Sequence, residues 1–154
     1  MMNDGYTQIV TQLIEADEGK RSKLYDDLTG KTYEKGQEIK GKLTIGIGHN
    51  IEDNGLSDEV VRQIFREDLE DATNDCFATF PNWNSITVNR RAALASMMFN
   101  LGLTRFRKFH KLIYAVKSGD WQMAAIECLD SDAARKLPKR YEKLAQMIKG
   151  DYDV

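Results

Sequence analysis

The sequence predicts a predominantly helical α+β fold: a small antiparallel sheet with a leading helix, a long connecting helix, and a helical remainder. Three observations point to it. Apolar residues recur at helical spacing over residues 5–18 and through most of the chain beyond residue 57. Strand-like alternation is confined to a stretch around residues 24–47, punctuated by glycines. No repeat, low-complexity tract or Pro/Gly/Ser-rich linker divides the 154 residues, so they read as one domain with a core of useful size, open to division into two lobes.

Taken in order, Ile9, Leu13 and Ile14 fall on one face of a first helix over residues 5–18, which Gly19 can end. Leu24-Tyr25 begins a short strand and Asp26-Asp27-Leu28-Thr29-Gly30 a turn. The polar stretch KTYEKGQEIKGK (31–42) suits an exposed hairpin extension, and residues 42–47 alternate as a strand that Gly46 and Gly48 leave thin. NIEDNG (50–55) is turn chemistry.

Ser57 then caps a long helix, with Asp58 and Glu59 in its first turn and an apolar stripe of Val61, Ile64, Phe65, Leu69, Ala72 and Cys76. Pro81-Asn82-Trp83-Asn84 breaks it. Thr87 caps a helix carrying Leu94, Met97, Met98 and Leu101, read as core rather than as a cofactor box, and Gly102 closes it. Phe109, Leu112, Ile113 and Val116 form a further stripe ending at Ser118-Gly119. Asp120 caps a helix with Trp121, Ala124, Ala125 and Cys128. Pro138 opens the last helix, with Tyr141, Leu144, Ala145 and Ile148 inward, Gly150 at its end and a loose tail over 151–154.

Composition narrows the function. With 42% hydrophobic residues and a net charge of −2, nothing suggests nucleic-acid binding. No apolar run approaches a membrane span, and the first residues lack a basic stretch followed by a continuous apolar one, so the expectation is a chain without a signal peptide, kept in the cytoplasm unless something releases it. Cys76 and Cys128 lie in helical patterns without ligand spacing and read as buried reduced thiols, with a disulfide as the lesser alternative. Two histidines, His49 and His110, with no ligand spacing between them, argue against a metal site at either.

The stretch from Glu15 to His49 carries the chemistry. Glu18 ends the first helix, where the negative end of the helix dipole disfavours ionisation and burial would act the same way. Asp27 follows nine positions later in a strand-and-turn setting. Two carboxylates in different environments are the minimal kit for breaking a glycosidic bond. The plain alternative is an ordinary exposed glutamate, and spacing alone does not decide between them.

The laid-out chain resembles the phage-type lysozymes, the endolysins of glycoside hydrolase family 24. DEG at 17–19, tyrosine at 25, aspartate at 27 and TIGIGH at 44–49 carry the likeness in the first half. NRRAALASMMFNLG at 89–102, SGDWQMAA at 118–125 and LPKRYEKLAQMIKG at 137–150 carry it in the second. The stretch at 31–42 departs from the shortest members as an insert.

The resemblance implies a lysozyme-like fold: a small α/β lobe (about 15–56), a connecting helix (57–80), and a helical lobe (81–154, joined by the N-terminal helix), with the sugar cleft between the lobes. It implies that Glu18 is the general acid, Asp27 the second carboxylate and Thr44 the residue opposite both. Thr44 would hold a water against Asp27, as an inverting route requires. Arg140 would pair with Glu18, and His49 with Asp68. Phe99, Asn50, Leu112 and Glu127 align with sugar-contacting positions, although all but Phe99 differ in type from the family's best-known member.

The implied activity is hydrolysis of the β-1,4 bond between N-acetylmuramic acid and N-acetylglucosamine in bacterial peptidoglycan. The enzyme would be a monomer without a cofactor, and a holin-like membrane protein would release it from the host cytoplasm for lysis. The competing readings are a non-catalytic peptidoglycan binder, membrane disruption by the basic amphipathic segment Arg135–Lys149, and a lytic transglycosylase, which would need no water-directing carboxylate.

Overall fold

The computed structural model describes residues 4–151, so all of the 151–154 tail but Asp151 lies outside the described residues. The fold is α+β and mostly helical, with one three-stranded antiparallel sheet. The chain separates into two compact units, one ending at Val61 and the other beginning at Arg62, so the boundary falls inside a helix.

The first unit opens with α1 (Asp4–Glu18), which ends where Gly19, at φ 69°, donates its N–H to the Glu15 carbonyl. Only glycine takes that conformation without cost. Strands β1 (Arg21–Asp26), β2 (Leu43–Gly46) and β3 (His49–Asn50) follow in the spatial order β1-β2-β3. The register pairs Tyr25 with Thr44 and Thr44 with Asn50. Directly opposed residues share a sheet face, so these three form a row across it.

The NIEDNG stretch is one helical turn rather than a plain turn, α2 (Ile51–Asn54). Asn50 Oδ1 caps it by accepting the Asp53 N–H at 3.0 Å, and Gly55 ends it. The 31–42 segment is mostly exposed, as expected of a hairpin extension between β1 and β2, and it is tied back to β1. It makes a bridge between Thr32 and Tyr25, then returns so that its last three residues bond to the β1 end.

Helix α3 (Asp58–Thr79) runs from the first unit into the second, with Ser57 Oγ accepting the Val60 N–H at 3.4 Å. Its expected stripe is only partly buried: Ala72 and Cys76 belong to the core, whereas Val61, Ile64, Phe65 and Leu69 are 38–51% exposed. The 3.6-residue period identifies a helix face but not how far along its length a partner covers that face.

Beyond a short 3₁₀ turn at Trp83–Ser85, the second unit is helical: α4 (Val88–Leu101), α5 (Leu103–Phe106), α6 (His110–Ser118), α7 (Trp121–Leu129), α8 (Asp132–Lys136) and α9 (Pro138–Lys149). Asp120 caps α7 through the Met123 N–H at 3.0 Å, as expected, whereas Thr87 stands at the N-cap position of α4 without a side-chain capping bond. The short α5 and α8 lie in stretches without a long apolar period; α8 is announced only by its cap, Ser131 Oγ to the Ala134 N–H.

Leu94, Met97, Met98, Leu112, Val116, Tyr141 and Ile148 make the centre of the core, together with Phe80 and Phe106. Cys76 and Cys128 are free and buried; burial pushes both thiols up to about 12. No described helix is long and apolar enough to cross a membrane.

Candidate active site

The sheet register places the site. Tyr25, Thr44 and Asn50, the row set by strand pairing, all border a recess of about 340 Å³ in the first unit. Two residues on from Tyr25, Asp27 returns to the same side, while Asp26 between them turns away and is buried. From the other direction the end of α1 delivers Asp17 and Glu18 to the rim. Glu18, Asp27, Thr44 and Asn50 are thus brought together around one recess, along with Arg21 and Gly48.

Each group is held by its own neighbours. Glu18 packs against Gly48: a Cβ there would lie 2.9 Å from its carboxyl carbon and from Oε2. Glu18 is exposed and stands at the C-terminal end of α1, as expected. Asp27 is also exposed, with Oδ1 accepting the Lys42 N–H at 2.7 Å. Thr44 is buried, and its Oγ1 donates to the Lys42 carbonyl at 3.2 Å, which leaves the hydroxyl lone pairs for an incoming donor. Arg21 lays its guanidinium 4.4 Å from the centre of the Tyr25 ring and donates Nη1 to the Gly30 carbonyl, closing one wall.

Asp26 is the most tightly satisfied carboxylate of this unit. Lys40 N–H at 2.7 Å is the leading reason its carboxyl is held below the usual range, joined by the N–H groups of Thr29, Leu28 and Gly41 and opposed by desolvation. Lys42 Nζ meets Asp53 at 2.9 Å and Glu52 at 3.2 Å, which raises the lysine and lowers Asp53.

The other residues singled out by resemblance are each described by the contacts they make within their own unit. His49 Nε2 is 2.7 Å from the Gly55 carbonyl oxygen, closing the α2 loop, while Asp68 is on the part of α3 in the second unit. Arg140, at the start of α9, reaches Ser96: Nη2 is 3.3 Å from Oγ and 3.4 Å from the carbonyl oxygen. Phe99 is 40% exposed and tilted against Phe65, with ring centres 5.7 Å apart. Leu112 and Glu127 border a larger recess of about 850 Å³ within the second unit. Leu112 is fully buried there, and Glu127 lies 3.9 Å from Lys111 Nζ. Among the described residues no cluster of His, Cys, Asp and Glu is arranged to hold a metal ion.

Three contributors escaped sequence reading. Arg21 sits in an unremarkable KRSK run; Gly41 and the Lys42 backbone lie at the end of a polar insert, and backbone groups leave no mark in residue type. Gly48 carried a partial signal, since alternating glycines mark a close approach.

The carboxylates of Asp17, Glu18 and Asp27, a hydroxyl with free lone pairs and an amide around one recess fit hydrolytic chemistry, and comparison with known sequences decides which. A family model described as phage lysozyme matches residues 15–145. The chain belongs to the phage lysozyme family. As a phage lysozyme it is a glycoside hydrolase, and the family implies a peptidoglycan substrate.

Among individual relatives of this phage lysozyme, the probable T4-type lysozyme 2 of Dictyostelium discoideum is 27% identical over 155 residues, covering 88% of the chain and 91% of that protein. The pre-baseplate central spike protein Gp5 of Enterobacteria phage T4 is also 27% identical, over 150 residues; the match covers 79% of the chain but 24% of Gp5.

Proposed function

We propose that the protein is an endo-acting muramidase that hydrolyses the β-1,4 bond between N-acetylmuramic acid and N-acetylglucosamine with inversion at the anomeric carbon. The observation that carries this reading is the meeting of Glu18, Asp27 and Thr44 around one recess.

Glu18 is the general acid. It protonates the leaving glycosidic oxygen, a contribution of about 10²–10⁴ in rate for a well-placed group. Asp27, ionised, faces the positive charge that develops at the anomeric carbon and accepts a proton from the attacking water. Thr44 completes the water site. Because its own hydrogen is engaged by the Lys42 carbonyl, its oxygen acts as an acceptor toward the water. A water donating one hydrogen to Thr44 and the other to Asp27 has its lone pair free to attack.

Digestion of purified cell walls tests the reading. Inversion gives a new reducing end that is first the α-anomer, read by NMR before mutarotation. Retention would give the β-anomer and would make Asp27 a nucleophile. Anhydro-muramic ends in the mass spectrum would replace hydrolysis with transglycosylation.

In the cell the same activity would serve lysis of a bacterial host, with a holin-like membrane protein admitting the enzyme to the wall, and a monomer would suffice. Membrane disruption by residues 135–149 has less to recommend it: Tyr141, Leu144, Ala145, Met147 and Ile148 are spent in the core, which leaves α9 no apolar face to offer a bilayer.

A further inference from the structure

The end of the 31–42 segment touches the catalytic groups in a way their assigned roles do not require. The Lys42 peptide makes three bonds to them. Its N–H donates to Asp27 Oδ1 at 2.7 Å, its carbonyl accepts the Asp27 N–H at 3.1 Å, and the same carbonyl accepts the Thr44 hydroxyl at 3.2 Å. No hydrogen bond from the described residues reaches Asp27 Oδ2. One carboxylate oxygen is therefore pinned, and the other is left for water.

Lys42 is in turn placed by Asp26. That carboxylate is 1% exposed and spends its acceptors on backbone N–H groups from both sides of the insert: Leu28 and Thr29 at 2.9 and 3.2 Å, Lys40 and Gly41 at 2.7 and 3.1 Å. A buried carboxylate bonded this way fixes the two chain segments against each other, because any separation strands a charge without donors. Between Lys40 and Lys42, Gly41 permits the approach. A Cβ at that position would overlap Asp27 Oδ1 and lie 2.7 Å from both the Leu28 nitrogen and its Cβ.

We infer that Asp26, Gly41 and the Lys42 backbone form a positioning clamp, built from the insert, that orients Asp27 and Thr44 together for the attacking water. The clamp rests on the proposed roles of those two residues and adds the device that sets their geometry. Asp26, Gly41 and Lys42 are positioning residues that do not touch the reacting atoms. The Lys42 side chain adds an outer tie through its exposed pairs with Glu52 and Asp53, which carry little energy on their own.

The test is steady-state kinetics on solubilised peptidoglycan fragments for Gly41→Ala, Asp26→Asn, Asp26→Ala and Asp27→Asn, with the Lys42 amide proton followed by NMR. Displacing Asp27 by a fraction of an ångström to an ångström lowers kcat by about tenfold to a hundredfold. The clamp predicts that loss in Gly41→Ala with KM within about twofold of wild type, because substrate binding is left alone. It predicts graded losses in the order wild type, Asp26→Asn, Asp26→Ala.

It also predicts that Asp27→Asn moves the Lys42 amide proton upfield, since a bond to a carboxylate is replaced by one to a neutral amide. This last readout stands even if the Asp26 variants fail to fold. Folded Gly41→Ala and Asp26→Ala variants with kcat within twofold of wild type would overturn the clamp, as would a Lys42 amide indifferent to Asp27→Asn. If Asp27→Asn itself keeps the wild-type rate, the role of Asp27 falls first; if that variant is inactive while Gly41→Ala is not, the clamp alone falls.

Discussion

The Glu18 carboxyl group fills the space that a side chain at Gly48 would need, and the glycine holds φ at 68°. Two demands meet at this position: a left-handed backbone and room for a carboxyl group. Gly48→Ala fails both. The left-handed conformation costs about 1–2 kcal/mol for a non-glycine residue, and the new methyl must push Glu18 aside. The expected outcome is a melting temperature lower by roughly 2–8 °C. Wall-clearing should fall by about tenfold or more, because the acid leaves its station. Turbidimetry beside a thermal melt separates the two effects.

Asp26 gives the first unit a particular acid sensitivity. Its carboxyl is held below the ordinary 3.8, foremost by the Lys40 N–H, so folding favours the ionised form. The stability this lends is complete above the unfolded value and is lost as pH falls through the lower folded one. Asp26→Asn has no such charge to lose. Wild type should therefore melt above Asp26→Asn at neutral pH, and the gap should close as pH drops from about 5 to about 2. A gap that stays constant across that range would show that ionisation of Asp26 is irrelevant to folding.

The two thiols behave in the opposite sense at the alkaline end. Cys76 and Cys128 are pushed up from 9.0 to about 12 by burial, so the folded chain holds their protons while the unfolded chain releases them. Stability is complete below pH 9 and falls above it, by up to about 1.4 kcal/mol per pH unit for each thiol. A thiol reagent should find neither group in the native protein at neutral pH and both after denaturation.

In the second unit Phe106 is fully buried, edge-on to Phe80 with ring centres 6.0 Å apart and stacked near Phe109 at 6.3 Å. Phe106→Ala should cost about 3–5 kcal/mol, read as a drop of roughly 10 °C or more in the melting temperature.

Much of this was legible in residue order. Long helices announced themselves through period and caps: Ser57, Asp120 and Pro138 all stand where the sequence placed them. Glu18 at a helix end, Asp27 at a turn and Thr44 on a strand were equally readable, because capping, turn and alternation signals are local. What escaped was set by groups without a sequence signature. The insert reads as an exposed polar hairpin extension, which its side chains bear out; what residue type does not show is the bonding of its backbone N–H and C=O groups, which every residue owns. Phe106 escaped because α5 is too short to show a period. The exposed half of the α3 stripe shows the converse, a clear pattern that local sequence could not match to a covering surface.

In the proposed mechanism Glu18 and Asp27 divide the work of breaking one glycosidic bond. Its most direct test is the initial rate of wall clearing for Glu18→Gln and Asp27→Asn beside wild type, with each variant shown to be folded. Both substitutions keep shape and remove the proton chemistry, so each should lower the rate by about 10² or more. Near-normal clearing by either folded variant would contradict the role assigned to that residue.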